Sequence, residues 1–83
     1  MKKQRPEGGF GRVVKVLEPL RDGDAGELRV SIVERGGDRR LDIRYFAKSD
    51  RYTGPTKKGI SLSAEEFDVL KSQEKKITKL LLK

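Results

Sequence analysis

The chain contains no cysteine, no histidine and no tryptophan, and a single methionine. Without cysteine no disulfide can staple a small fold, and no thiolate can hold zinc or an iron–sulfur cluster. Without histidine the commonest metal ligand is gone, along with the one side chain whose ordinary pKa lies near neutrality. Ser31, Ser49, Ser61, Ser63 and Ser72 therefore have no imidazole to activate them as nucleophiles. Long hydrophobic runs are missing too. Leu80-Leu81-Leu82 falls far short of the roughly 20 apolar residues that cross a bilayer. The start, Met1-Lys2-Lys3-Gln4-Arg5-Pro6, is charged but runs into Glu7-Gly8-Gly9 rather than an apolar stretch, so it reads as no targeting segment. Catalysis, a cofactor, a metal and a membrane partner are all unexpected on these grounds.

What the chain has is charge. Twenty Lys and Arg against 13 Asp and Glu give a net charge of +7 in 83 residues, a balance that suits a polyanion. A domain of this length hides only about 60% of the surface that its unfolded chain exposes. With disulfides and metals excluded, self-association is the route left to a larger core.

Residues 1–9 read as a flexible basic arm, and residues 10–83 as one domain. Val13-Val14-Lys15-Val16-Leu17 is rich in β-branched residues and predicts a first strand. Arg21 to Gly26 reads as a loop. Leu28, Val30 and Ile32 alternate with polar neighbours, the period of a half-buried second strand. Gly36-Gly37 marks a hairpin turn. A third strand follows from Arg39 to Ala47, with Leu41, Ile43 and Tyr45 on one face and Arg40, Asp42, Arg44 and Phe46 on the other. Lys48 to Lys58 reads as a loop with a Gly-Pro turn signal, and Gly59-Ile60-Ser61-Leu62 as a short last strand. Ser63 and Glu66 form a capping box that opens one helix from Ala64 to about Leu82. The fold class is α+β: four antiparallel strands and one C-terminal helix.

Carboxylate pairs such as Glu65-Glu66 are explained by that cap. Gly8-Gly9-Phe10-Gly11 precedes a strand, whereas a phosphate-binding glycine loop follows one and opens a helix. The binding case rests on the sheet. If the second and third strands pair, Arg29, Arg35, Arg40 and Arg44 share a face with Phe46, and unstacked bases lie on such guanidinium and aromatic planes. Lys48, Arg51, Tyr52, Lys57 and Lys58 add cations and an aromatic, and Gly59 lets a backbone approach closely. Phe67, Leu70, Ile77 and Leu81 form a helical stripe that serves either the monomer's sheet or a second copy.

Leu41-Asp42-Ile43-Arg44, then Pro55-Thr56-Lys57-Lys58-Gly59-Ile60-Ser61-Leu62-Ser63 and the helix with Phe67 and Leu70-Lys71 resemble the transcriptional coactivator family of positive cofactor four. The resemblance runs from about Leu28 to Lys71. It implies a four-stranded curved antiparallel sheet, a homodimer joined through the helices, and β-ribbons that hold single-stranded DNA with little sequence preference. It implies that Arg44 meets the DNA backbone, that Lys57, Lys58 and Gly59 make loop contacts, and that Arg29 and Arg35 lie near DNA-facing positions. Arg35 and Ala47 stand where the family carries a phenylalanine and a tryptophan, which leaves Phe46, Arg35 or Tyr52 to supply the stacking planes. The long serine-rich tail of eukaryotic members is absent, which favours a compact, bacterial-type member in the cytoplasm at the nucleoid, or a nuclear protein if the source is eukaryotic. RNA remains open as a partner. So does a protein-interaction role, with the basic surface meeting acidic components of the transcription machinery.

Overall fold

The computed structural model describes residues 11–82, and the basic arm at 1–9 lies outside them. Five strands form one antiparallel sheet: β1 (Arg12–Val16), β2 (Arg21–Gly23), β3 (Gly26–Arg35), β4 (Asp38–Lys48) and β5 (Thr53–Leu62). The order across the sheet is β1-β3-β4-β5. β2 also pairs with β3, so β1 and β2 share one edge of that long strand. The helical part is α1 (Ala64–Ser72) and α2 (Glu74–Leu81).

The centre of the sheet is the hairpin that the alternation predicts. β3 and β4 pair along their whole length, from Gly26 opposite Ala47 to Arg35 opposite Asp38. The chain reverses at Gly36 and Gly37, whose φ values of 61° and 83° are those of a tight hairpin turn and cost glycine nothing. Val30 stands opposite Ile43 and Ile32 opposite Leu41, so the apolar residues share one face. Arg29 stands opposite Arg44 on the other face.

Three expectations need correction. Arg21 to Gly23, read as loop, is a strand; its polar residues carry no alternation, and it forms because the edge of β3 offers backbone partners while Asp22 accepts a hydrogen bond from Lys48 at 2.9 Å. The long loop shrinks to residues 49–52, since β5 begins at Thr53. Pro55 is accommodated because β5 is an edge strand, where a missing N–H breaks no ladder. The single helix is interrupted at Gln73. There the Ser72 hydroxyl and the Gln73 amide both donate to the Val69 carbonyl, at 2.7 and 3.2 Å, while the Gln73 backbone N–H turns to Leu70. Side chains competing for a helical carbonyl distort the helix.

The helix start matches its reading. Ser63 accepts from the Glu66 N–H at 3.1 Å, and the Glu66 carboxylate accepts from the Ser63 N–H at 2.9 Å. α1 packs against β4 and β5, and Phe67 borders a cavity with Ile32, Leu41 and Leu62. The core is thin, as the chain's length predicts. Val33, on the arginine face, is the one buried hydrophobic residue among those described, while the apolar face is half-buried apart from an exposed Ile60. Replacing Ser63 with alanine removes one half of the capping box and is expected to cost about 1 kcal/mol, read as a lower urea midpoint with an unchanged slope.

Candidate nucleic-acid interface

The arginine face is built by the period of two, and the same period decides its charge. Glu27 and Arg29, Asp38 and Arg40, and Asp42 and Arg44 are each two residues apart on one strand, so each acid lies beside its arginine on the same face. Arg29 donates from Nε to Glu27 at 2.8 Å, and Arg40 donates to Asp38 at 3.3 Å. Arg40 also stands 3.7 Å from Glu66 on α1. Arg12 of β1 pairs with Glu34 of β3. The face is therefore rich in guanidinium planes yet balanced by carboxylates.

The Asp42–Arg44 pair is the most enclosed of these. Asp42 is 6% exposed. Arg44 grips it with two bonds, Nε to Oδ2 at 3.1 Å and an Nη to Oδ1 at 2.9 Å, and donates its other Nη to the Thr56 carbonyl at 3.0 Å. The Ser61 hydroxyl adds a long contact to Asp42 at 3.4 Å. A bidentate carboxylate with further donors is the geometry in which a buried ion pair offsets its desolvation. This pair ties β4 to β5.

β5 bulges where that tie is made. Between Phe46 opposite Pro55 and Arg44 opposite Gly59, β5 spends Thr56, Lys57 and Lys58 against Tyr45 alone. The Thr56 hydroxyl donates to the Tyr45 carbonyl at 2.8 Å and accepts from the Lys58 N–H at 3.2 Å, which fixes the bulge. Lys57 and Lys58 are thereby exposed on a raised segment, with no ion pair to any described residue. Gly59 re-enters the ladder so close to β4 that a Cβ would meet the Ile43 carbonyl oxygen at 2.5 Å and the Arg44 Cα at 2.7 Å. Packing against β4 thus requires a glycine there.

The structure gathers some of the expected site residues and separates others. Arg29, Arg44 and Phe46 line one cavity of about 360 Å³, and the Arg29 guanidinium lies over the Phe46 ring, 3.7 Å from its centroid. Arg35 sits at the far end of β3, opposite Asp38 at the hairpin turn. Lys58 and Gly59 border a groove on the opposite face of the sheet, beside Tyr45 and Ile60. On the helix, Phe67, Leu70 and Ile77 line one shallow cavity of about 340 Å³, and Leu81 is exposed beyond it. Sequence reasoning placed Asp42 on the arginine face without pairing it to Arg44 and left out Glu27, though the acid-x-Arg spacing carried the signal. It also missed Val13, Val16 and Ser31 in the cavity wall.

Comparison with known proteins decides the affiliation. The family model of Transcriptional Coactivator p15 (PC4) matches residues 24–73, which span the β3–β4 hairpin, β5 and α1. The chain belongs to this family. It is also 35% identical over 77 residues to the RNA polymerase II transcriptional coactivator KIWI of Arabidopsis thaliana, covering 81% of this chain and 72% of that protein. No solved structure matches it. The PC4 match begins at Asp24, so β1 and β2 lie before it and α2 after it.

Lys48, at the end of β4, is held by Asp22 and Glu27 at 2.9 and 3.7 Å. The hydrogen bond to Asp22, reinforced by both carboxylate charges, raises its pKa above the ordinary 10.5. A raised lysine pKa stabilises the fold below that range and ceases to as the pH climbs through the raised value. This clamp between β2 and β4 is therefore intact throughout the neutral range. The Asp42 tie has a sharper consequence. Asp42→Ala leaves the enclosed Arg44 without its carboxylate, and we expect a loss of about 3–5 kcal/mol in urea denaturation, enough to unfold most of a domain with so thin a core.

Proposed function

We propose that this PC4 family member is a non-enzymatic, homodimeric module that binds single-stranded DNA with little sequence preference and acts as a transcriptional coactivator. The observation that carries this reading is the Arg29–Phe46 stack beside an open cavity on the ribbon face, with two unpaired lysines raised on the β5 bulge. A stacked guanidinium and ring accept the π-face of any base, which gives affinity without sequence choice. Lys57 and Lys58, raised on the edge strand β5, supply the phosphate attraction, because Arg29, Arg40 and Arg44 already have carboxylate partners. Arg44 then acts mainly by holding the bulge in place, and Arg35 meets the strand near the hairpin turn. A duplex keeps its bases stacked and cannot use such planes.

The homodimer has its own support. Phe67 is 42% exposed and Leu70 44%, and the apolar sheet face is covered by α1 at one end only. The helix stripe and the sheet face of a second copy are complementary in chemistry, and together they supply the core that 83 residues lack. The plant relative is a coactivator of RNA polymerase II, which favours the transcription machinery and a nuclear setting over the expected bacterial nucleoid.

Fluorescence anisotropy of a labelled mixed-sequence 20-mer, single-stranded and duplex, tests the binding. Single-strand preference with steep salt dependence is expected. Equal affinity for the two forms would defeat the reading, and a matched RNA winning in competition would move it to RNA. Lys57→Ala with Lys58→Ala should flatten the log–log salt slope by about 1.4, at roughly 0.7 per phosphate contact on a single strand. Leu70→Asp with Ile77→Asp should yield a monomer in sedimentation velocity; a persistent dimer would remove the helix stripe from the interface.

A further inference from the structure

The cavity on the ribbon face has a wall that the family match does not include. Val13 and Val16 of β1 both border it, although residues three apart on a regular strand point to opposite faces. A bulge resolves this. Val13 pairs with Val33 and Lys15 with Ile32, so Val14 is an extra residue, and Val16 comes opposite Ser31 on the same face as Val13. The floor is Val33 and Ser31, 3% and 5% exposed. The far side carries Pro55, and the Arg29–Phe46 stack borders the space.

The chemistry of this lining narrows what it accepts. A phosphate finds no spare cation there, since Arg29 is held by Glu27 and Arg44 by Asp42. A purely apolar side chain would leave the Ser31 hydroxyl unmet. That hydroxyl makes no hydrogen bond to any described residue, and sealing it off without a partner would be unfavourable. A flat heterocycle with a polar edge satisfies all three surfaces: valines on one side, a stacked guanidinium on another, a hydroxyl at the bottom. At about 360 Å³ the space falls within the range of small-ligand pockets.

We propose that this cavity seats one unstacked nucleobase of the bound strand, lying between the β1 valines and the Arg29–Phe46 stack, with its polar edge on the Ser31 hydroxyl. The inference rests on the single-strand reading above and adds to it a defined base site built by β1. Arg29 and Phe46 set the plane of the base, Ser31 meets its edge, and Val13 and Val16 close it from water.

The test uses the full chain and two labelled 20-unit strands with equal phosphate numbers, one of thymidines and one of abasic sites. The wild type should bind the thymidine strand at least tenfold more tightly. Val16→Trp fills the cavity from a half-exposed position and should cut that preference about tenfold, with abasic affinity and salt slope unchanged. Ser31→Ala, which deletes only the hydroxyl, should lower the preference by several-fold. A 2-aminopurine in the strand should be shielded from acrylamide by the wild type and not by Val16→Trp. A wild-type preference that survives both variants would place the stacking elsewhere and overturn the proposal. Equal binding of the two strands would overturn it together with the base stacking on which the single-strand reading rests, whereas a preference that survives the variants overturns this base site alone. Binding of neither would remove both.

Discussion

The buried Asp42 carboxylate organises the ribbon face. By accepting two bonds from Arg44 and a longer contact from Ser61 it locks β4 to β5, and through Arg44 it reaches the Thr56 carbonyl at the base of the bulge. The positions of Lys57 and Lys58 follow from that anchor, because Thr56 is bonded on one side to the Arg44 guanidinium and on the other to the Tyr45 carbonyl. Gly59 closes the bulge against β4. A charge removed from water thus sets where charges stand in water.

The two faces of the sheet divide the labour. One is balanced in charge and carries planes for stacking; the other is apolar and only part-covered by α1. A monomer with Val33 as its one buried hydrophobic residue among those described has little stability to spare. In the proposed dimer, association is then part of folding rather than an addition to it. The break at Gln73 matters in that context. It divides the apolar stripe between α1, which carries Phe67 and Leu70, and α2, which carries Ile77 and Leu81.

Much of the sheet was legible in the residues. The alternation of Leu28, Val30 and Ile32 with that of Leu41, Ile43 and Tyr45 gave the central hairpin and its facing, and Gly36-Gly37 gave its turn. The capping box gave the helix start. β2 was illegible because Arg21-Asp22-Gly23 pairs through its backbone and carries no pattern in its side chains. β5 was cut short because Gly54-Pro55 has the signature of a turn, and whether a proline sits at a sheet edge is a property of topology. The Val69 carbonyl that attracts Ser72 and Gln73 likewise belongs to local geometry that periodicity does not register. At the site, the arginine face was visible from the period of two. Its neutralisation follows from the same period, since an acid two residues before an arginine shares its face, but pairing depends on side-chain geometry that alternation does not specify.

β1 differs from the other strands in carrying its phase on one extra residue. With Val14 bulged out, valines line the ribbon-face cavity and Lys15 stands opposite Ile32 on the other side. Were the strand to slip by one hydrogen-bonding step and lose the bulge, Lys15 would come opposite Ser31 and Val16 would turn away. The same five residues therefore spell two different walls, one that excludes water and one that attracts anions. A lineage could convert one into the other by adding or deleting a residue in the connection to β2, with every wall residue left in place.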